Sequence, residues 1–141
     1  MPMRILVPVD GSTTTDRTLS ALIGRKEIPS ARLTLLHVVN LDRLAYRMIP
    51  DFQVEMVRDH ARRSGEELLA AHLKRLVDAG IVAEERLEFG SPREVICRIA
   101  NEEGFELLVI GRRGIGEIRD VLFGSVANHV LHHVRSPVLL I

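Results

Sequence analysis

The sequence has no tryptophan, one tyrosine and four phenylalanines among its 141 residues, and a single cysteine, Cys97. So few rings leave little with which to stack the bases of a nucleic-acid strand or the ring system of a flavin. One thiol builds no internal disulfide framework, which fits a reducing compartment. Excess charge is missing as well, since 19 basic residues balance 19 acidic ones. Proteins that neutralise many phosphates carry a basic face, so nucleic acid is not an expected partner. No apolar run approaches the roughly 18 residues of a membrane span, so no membrane partner is expected either. The opening "MPMRILVPVDGS" meets a turn too early for a secretory signal. What remains is an ordinary globular composition, 46% hydrophobic and 27% charged. The expectation is a cytoplasmic protein forming one domain over residues 1–141, long enough to bury a substantial core.

No internal repeat or low-complexity tract interrupts the chain, and apolar runs alternate with helical patterns. "MRILVPV" (3–9) reads as a buried strand closed by Asp10-Gly11-Ser12. A helix of about twelve residues follows. It ends near Gly24, read as a left-handed stop. "ARLTLLHVV" (31–39) is a second strand, and residues 40–50 form a loop rich in apolar side chains. A long helix is expected from Asp51 to Ala79, with Val54, Val57, Ala61, Gly65, Leu68, Leu69, Leu73 and Leu76 on one buried stripe. Gly65 on that stripe marks close contact with the sheet. A more polar strand over 83–89 suits an edge. In "GSPRE" (90–94), Ser91 reads as an N-cap, Pro92 as N1 and Glu94 as the return arm of a capping box. That helix runs to Gly104. Strand 106–110, a helix from Ser125 to Val134 and a last strand "PVLLI" complete the chain.

Strands too apolar to face water, separated by helices, indicate an α/β fold with a doubly wound five-stranded parallel sheet covered on both faces. Ligands in such sheets bind beyond the carboxyl ends of the strands, where the strand order reverses. Four segments converge there: Asp10-Gly11-Ser12, Val38-Val39-Asn40, Gly90-Ser91-Pro92 and "GRRGIGEIRDVLFGS" (111–125). The last holds four of the ten glycines. Glycines let main-chain N–H groups approach an anion, and the following helix start adds unpaired donors. Ser125 offers a hydroxyl, and Arg112 or Arg113 a formal positive charge. The segment is neither a Walker loop nor a GxGxxG fingerprint, because no Gly-Lys-Ser/Thr follows and the spacing is too long.

Gly111, Gly114, Gly124 and Ser125 make the pattern G-x2-G-x9-G-(S/T), and here the chain resembles the nucleotide-binding universal stress proteins. "ILVPVDGS", "LTLLHVV", "GSPREVI" and "GSVANHVLHHVRSPVLLI" are similar to successive parts of that family in order. The resemblance implies an adenine nucleotide α-hydrolase-like, Rossmann-like fold. It implies ATP, with Mg²⁺ neutralising its phosphates, held through Gly111, Gly114, Gly124, Ser125 and the backbone of Val126. Pro8, Val9 and Asp10 match the end of the family's first strand, where the acidic residue contacts adenosine. Val38 matches the position whose main chain reads adenine, and Gly90 the exit of the third strand.

The function expected from these features is a regulatory binding module that signals the presence of its nucleotide to a protein partner. The alternative is a slow ATP hydrolase or an autophosphorylating enzyme. Neither the SGGxDS loop of related pyrophosphatases nor an HxGH motif is present, and no catalytic residue is assigned. His129 and His133 have the i, i+4 spacing of a metal pair but no third ligand nearby in sequence, so exposed or dimer-facing histidines are the favoured reading and no metal site is expected. His37 reads as a satisfied core histidine and Cys97 as a buried, inert thiol. "PVLLI" carries no charged gatekeeper, so a homodimer through Val138–Ile141 is expected, pairing that edge with its twin.

Overall fold

The computed structural model describes residues 2–25, 30–40, 51–111 and 125–141, apart from the side chains of Asp51 and Ser125. Five strands alternate with four helices: β1 (Arg4–Pro8), α1 (Thr13–Ile23), β2 (Arg32–Asn40), α2 (Asp51–Asp78), β3 (Val82–Gly90), α3 (Pro92–Glu102), β4 (Leu107–Ile110), α4 (Ser125–His133) and β5 (Val138–Leu140). All pairings are parallel, in the order β3-β2-β1-β4-β5. The chain winds outward from β1 to β3, then returns to the other side of β1 for β4 and β5.

Side-chain alternation along the central strands feeds two cores. Ile5, Val7, Leu33, Leu35 and Val109 face one way and meet Leu19 and Leu22 of α1 and Leu69 and Leu76 of α2. Leu6, Leu36, Leu108 and Ile110 face the other way, against Val95, Ile96 and Ile99 of α3 and Ala127 and Val130 of α4. Ile5, Leu6 and Val7 of β1 are buried because a strand on each side and a helix layer on each face shield them from water. Each leucine or isoleucine so enclosed stabilises the fold by about 1.5–3 kcal/mol.

Several local expectations are corrected. α2 reaches Asp78, but its first turns stand clear of the sheet, with Phe52 65%, Met56 68% and Val57 37% exposed. Twenty-eight helical residues span about 42 Å, whereas the nine-residue strand β3 spans about 30 Å. The helix overshoots, so Val57 drops out of the buried stripe. Gly24 is right-handed (φ −76°), its N–H donating to Ser20 O at 3.2 Å. The left-handed stop belongs to Gly80 (φ 81°), just after α2. Ser91 stands at the N-cap with Pro92 behind it, but its side chain makes no capping bond. Its carbonyl instead accepts from the N–H groups of Glu94 (3.1 Å) and Val95 (2.9 Å), so the capping box is not formed.

Gly65 is buried, and a Cβ there would lie 2.8 Å from both His37 Cδ2 and Leu87 Cδ1. Leu87 can swing its tip away. His37 cannot yield as easily, because its Nδ1 donates to Val9 O at 3.0 Å and holds the ring in place. Gly65→Ala is therefore expected to destabilise the protein by about 1–3 kcal/mol, an overpacking cost. Urea unfolding measures it, and an unchanged midpoint would refute the close approach of α2 to β2.

Candidate functional site

The carboxyl ends of β1, β2 and β4 and the first turns of α1, α3 and α4 enclose a cavity of about 1240 Å³. It lies where the strand order turns back across β1, the place this architecture leaves open. Its volume exceeds the roughly 300–1,000 Å³ of common small-molecule sites. Leu36, Val38 and Ile96 supply apolar surface, while Ser12, Thr14, Thr15, Thr18, Ser64 and Ser91 bring hydroxyls. Three helix N-termini aim their partial positive charge at this one space, which favours a negatively charged occupant.

Asp10 organises one wall. Its Oδ1 accepts hydrogen bonds from the Ser12 N–H (2.8 Å), the Ser12 hydroxyl (2.5 Å) and the Thr15 hydroxyl (2.9 Å). The Ser12 side chain is thereby committed to Asp10 and makes no helix-capping bond. Burial works to raise the carboxyl pKa, but the bonds from Ser12 and Thr15 outweigh it and hold Asp10 below its ordinary value. The side chain is exposed to the cavity, and its three partners all act on Oδ1. Beside it, the Nδ1–H of His37 serves the carbonyl of Val9, extending the β1–β2 ladder by a side chain where the strands diverge.

Pro8, Val9, Asp10, Val38, Gly111 and Val126 all line the cavity. Gly90 does not; its neighbour Ser91 does. Gly90 instead makes the bend from β3 into α3 with φ 145°, and a Cβ there would sit 2.9 Å from Val95 Cγ2. Ser125 opens α4. Arg112, Arg113, Gly114 and Gly124 lie outside the described residues, as do residues 41–50 of the loop expected over 40–50. Gly111 has a structural role of its own, for a Cβ would run into Thr18 Oγ1 and come within 2.6 Å of Thr14 Cγ2. Only glycine lets the end of β4 pass so close to α1.

The sequence reading overlooked Thr14, Thr15 and Thr18, which face the cavity from one side of α1, and Arg93 at the start of α3. The run Thr13-Thr14-Thr15 was a usable signal, as β-branched hydroxyl residues at a helix start mark a polar wall. His37 was read only as core, yet it is half-buried and lines the cavity. Cys97 is buried on α3, away from that lining, and burial pushes its thiol pKa up, which leaves it unreactive. No helix among the described residues is long and apolar enough to cross a membrane.

A family model for the universal stress proteins matches residues 1–141, from one end of the sequence to the other. The chain belongs to the universal stress protein family. Universal stress protein YxiE of Bacillus subtilis is 27% identical over 146 residues, covering 98% of this chain and 97% of its own length. Among solved structures, that of the hypothetical protein MJ0577 superposes with a TM-score of 0.85 at 25% identity, over 100% of this chain and 96% of that one. Two more distant family members share the fold with ligands bound. An Arabidopsis thaliana protein with AMP has a TM-score of 0.73 at 21% identity, over 99% of this chain and 91% of its own. A universal stress protein in complex with cAMP has a TM-score of 0.65 at 24% identity, over 99% and 96%.

The Asp10 network carries a pH signature. Because the folded-state pKa lies below that of the unfolded chain, the stability it contributes is complete above about pH 4 and lost as pH falls below that value. The gap in urea midpoint between the native protein and Asp10→Asn is expected to be widest near neutrality and to shrink toward about pH 2. A gap that stays constant across that range would show that the carboxylate is not held by these bonds.

Proposed function

We propose that this universal stress protein is a nucleotide-holding regulatory module whose cavity takes an adenine nucleotide, ATP with Mg²⁺ being the form expected. The observation that carries the reading is the arrangement of the cavity. The Asp10 carboxylate lines the same cavity as Gly111 and Val126, the flanks of the glycine-rich segment. A carboxylate suits ribose hydroxyls or an exocyclic amine. Main-chain groups of β2 past the end of β1, at Val38, suit a base edge. Helix N-termini, the Thr14 hydroxyl and Arg93 suit phosphates. Mg²⁺ in this arrangement needs no cage of protein ligands, because it binds through phosphate oxygens and keeps several waters. The AMP and cAMP complexes of the two family members above support the class of ligand.

Holding is favoured over turnover by the state of the groups nearest the site. A carboxylate kept ionised by three hydrogen bonds is a weak general base.

Thermal unfolding tests the proposal. Nucleotide at about 100 times its dissociation constant should stabilise the fold by about 2.7 kcal/mol, a rise of several degrees for a domain of this size. ATP is expected to produce the rise, GTP less of it, and Gly124→Asp to abolish it by placing a side chain and a negative charge among the phosphate donors. A flat response to ATP, ADP, AMP and cAMP would reject the proposal, and turnover of many ATP per site per minute would replace the module with an enzyme.

The outer edge of β5 supports a second proposal, that two chains pair through Val138–Ile141. Among the described residues β5 bonds only to β4, and no strand covers its other side. A chain ending at Pro137 should scatter light as a monomer while keeping its circular dichroism, and an unchanged dimer would reject this interface.

A further inference from the structure

Outside the cavity, α4 carries two imidazoles one helical turn apart, His129 and His133. Their rings stack face to face, with centroids 4.0 Å apart and planes 15° from parallel. His133 Nδ1 lies 2.7 Å from the carbonyl of His129. A carbonyl only accepts, so Nδ1 carries the proton and, in the neutral ring, Nε2 is left with the lone pair. That is the arrangement by which metal-binding histidines fix their tautomer, the second ring nitrogen being tied to a backbone carbonyl.

The end of the helix is held in turn. Asn101 Nδ2 donates to His133 O at 3.2 Å, and Asn101 Oδ1 accepts the N–H of Arg135 at 2.8 Å. His133 is exposed and His129 half-buried, so an ion from solvent can reach the pair. We propose that His129 and His133 form a two-histidine chelate on α4 for a borderline divalent transition ion such as Zn²⁺ or Ni²⁺, separate from the nucleotide cavity.

Two side chains at i, i+4 lie on one face of a helix, and imidazole nitrogen suits these ions at about 2.0–2.1 Å. The parallel rings must tilt toward each other to share the ion, which exchanges their stacking for two coordinate bonds. Of the charged groups around His129, Arg93 and a protonated His132 oppose a bound cation, while Glu94 favours one. Among the described residues no group of three His, Cys, Asp or Glu side chains closes around an ion. The chelate is therefore an open site that keeps water in its remaining positions, weaker than a structural zinc centre and reversible. The i, i+4 spacing was visible in the sequence. The proton on His133 Nδ1, which leaves Nε2 free to ligate, was not.

Isothermal titration of the full chain with ZnCl₂ and with NiCl₂, in a non-chelating buffer at neutral pH, tests this. One ion per chain is expected, with affinity reduced at least about tenfold by either His129→Ala or His133→Ala, a loss on the scale of outer-shell changes or larger. His132→Ala should leave binding unchanged, and acidification through the histidine range should release the ion. Far-ultraviolet circular dichroism verifies that each variant is folded, and His133→Gln serves as a second variant if alanine disturbs the helix end. No binding up to millimolar metal would overturn the proposal. So would binding that persists undiminished in the doubly substituted protein, since the ion would then sit elsewhere.

Discussion

β1 lies parallel between β2 and β4, and the helices that follow β1 and β4 leave the sheet on opposite faces. Two parallel crossovers diverging from neighbouring strands cannot both cover the strand ends, so a gap opens there. The proposed nucleotide site depends on that gap. Its walls are the first turns of helices, whose N–H groups have no partner within the helix and whose dipoles present positive charge. The polarity of the cavity follows from topology before any side chain is considered.

Side chains then determine the shape. The gap stays open on one side because Gly111 lets β4 end against Thr14 and Thr18 without a Cβ between them. On the other side, Gly65 lets α2 lie on the His37 ring, and His37 anchors the Val9 carbonyl just before Asp10. These contacts position the carboxylate by packing and short-range hydrogen bonds. The position of Asp10 is thus tied to the core beneath it: Val7 and Val9 on one face of β1 pack with Leu35, Leu69 and Leu76. Stability and the proposed nucleotide binding share residues here, and substitutions at Gly65 or Gly111 should affect both.

The fold was legible because its signals are periodic. Buried strands such as Arg4–Pro8 read as unbroken apolar runs, and the winding of the chain follows from their alternation with helices. Failures occurred where one residue type serves several geometries. Gly24 looked like a left-handed stop and is right-handed, while Ser91 looked like a helix cap and its side chain makes no capping bond, nor does that of Ser12. A serine hydroxyl goes to the strongest acceptor within reach, and for Ser12 that is Asp10. Val57 failed for another reason: periodicity reports which face of a helix is apolar, not where the sheet beneath it ends. At the site, Asp10, Val38 and Gly111 were found through strand ends and resemblance, whereas Thr18, Ser64 and Arg93 reach the cavity only through the crossing of helices distant in sequence.

The central claim is that one cavity at the β1/β4 reversal takes an adenine nucleotide. Its most direct test is a titration of the ¹⁵N-labelled protein with ATP, followed by amide chemical shifts. The account predicts saturable shifts concentrated at Val9, Asp10, Val38, Gly111 and Val126, with the amides of β3 and the far end of α2 unmoved. Shifts that fail to saturate, or that cluster away from the strand ends, would contradict it.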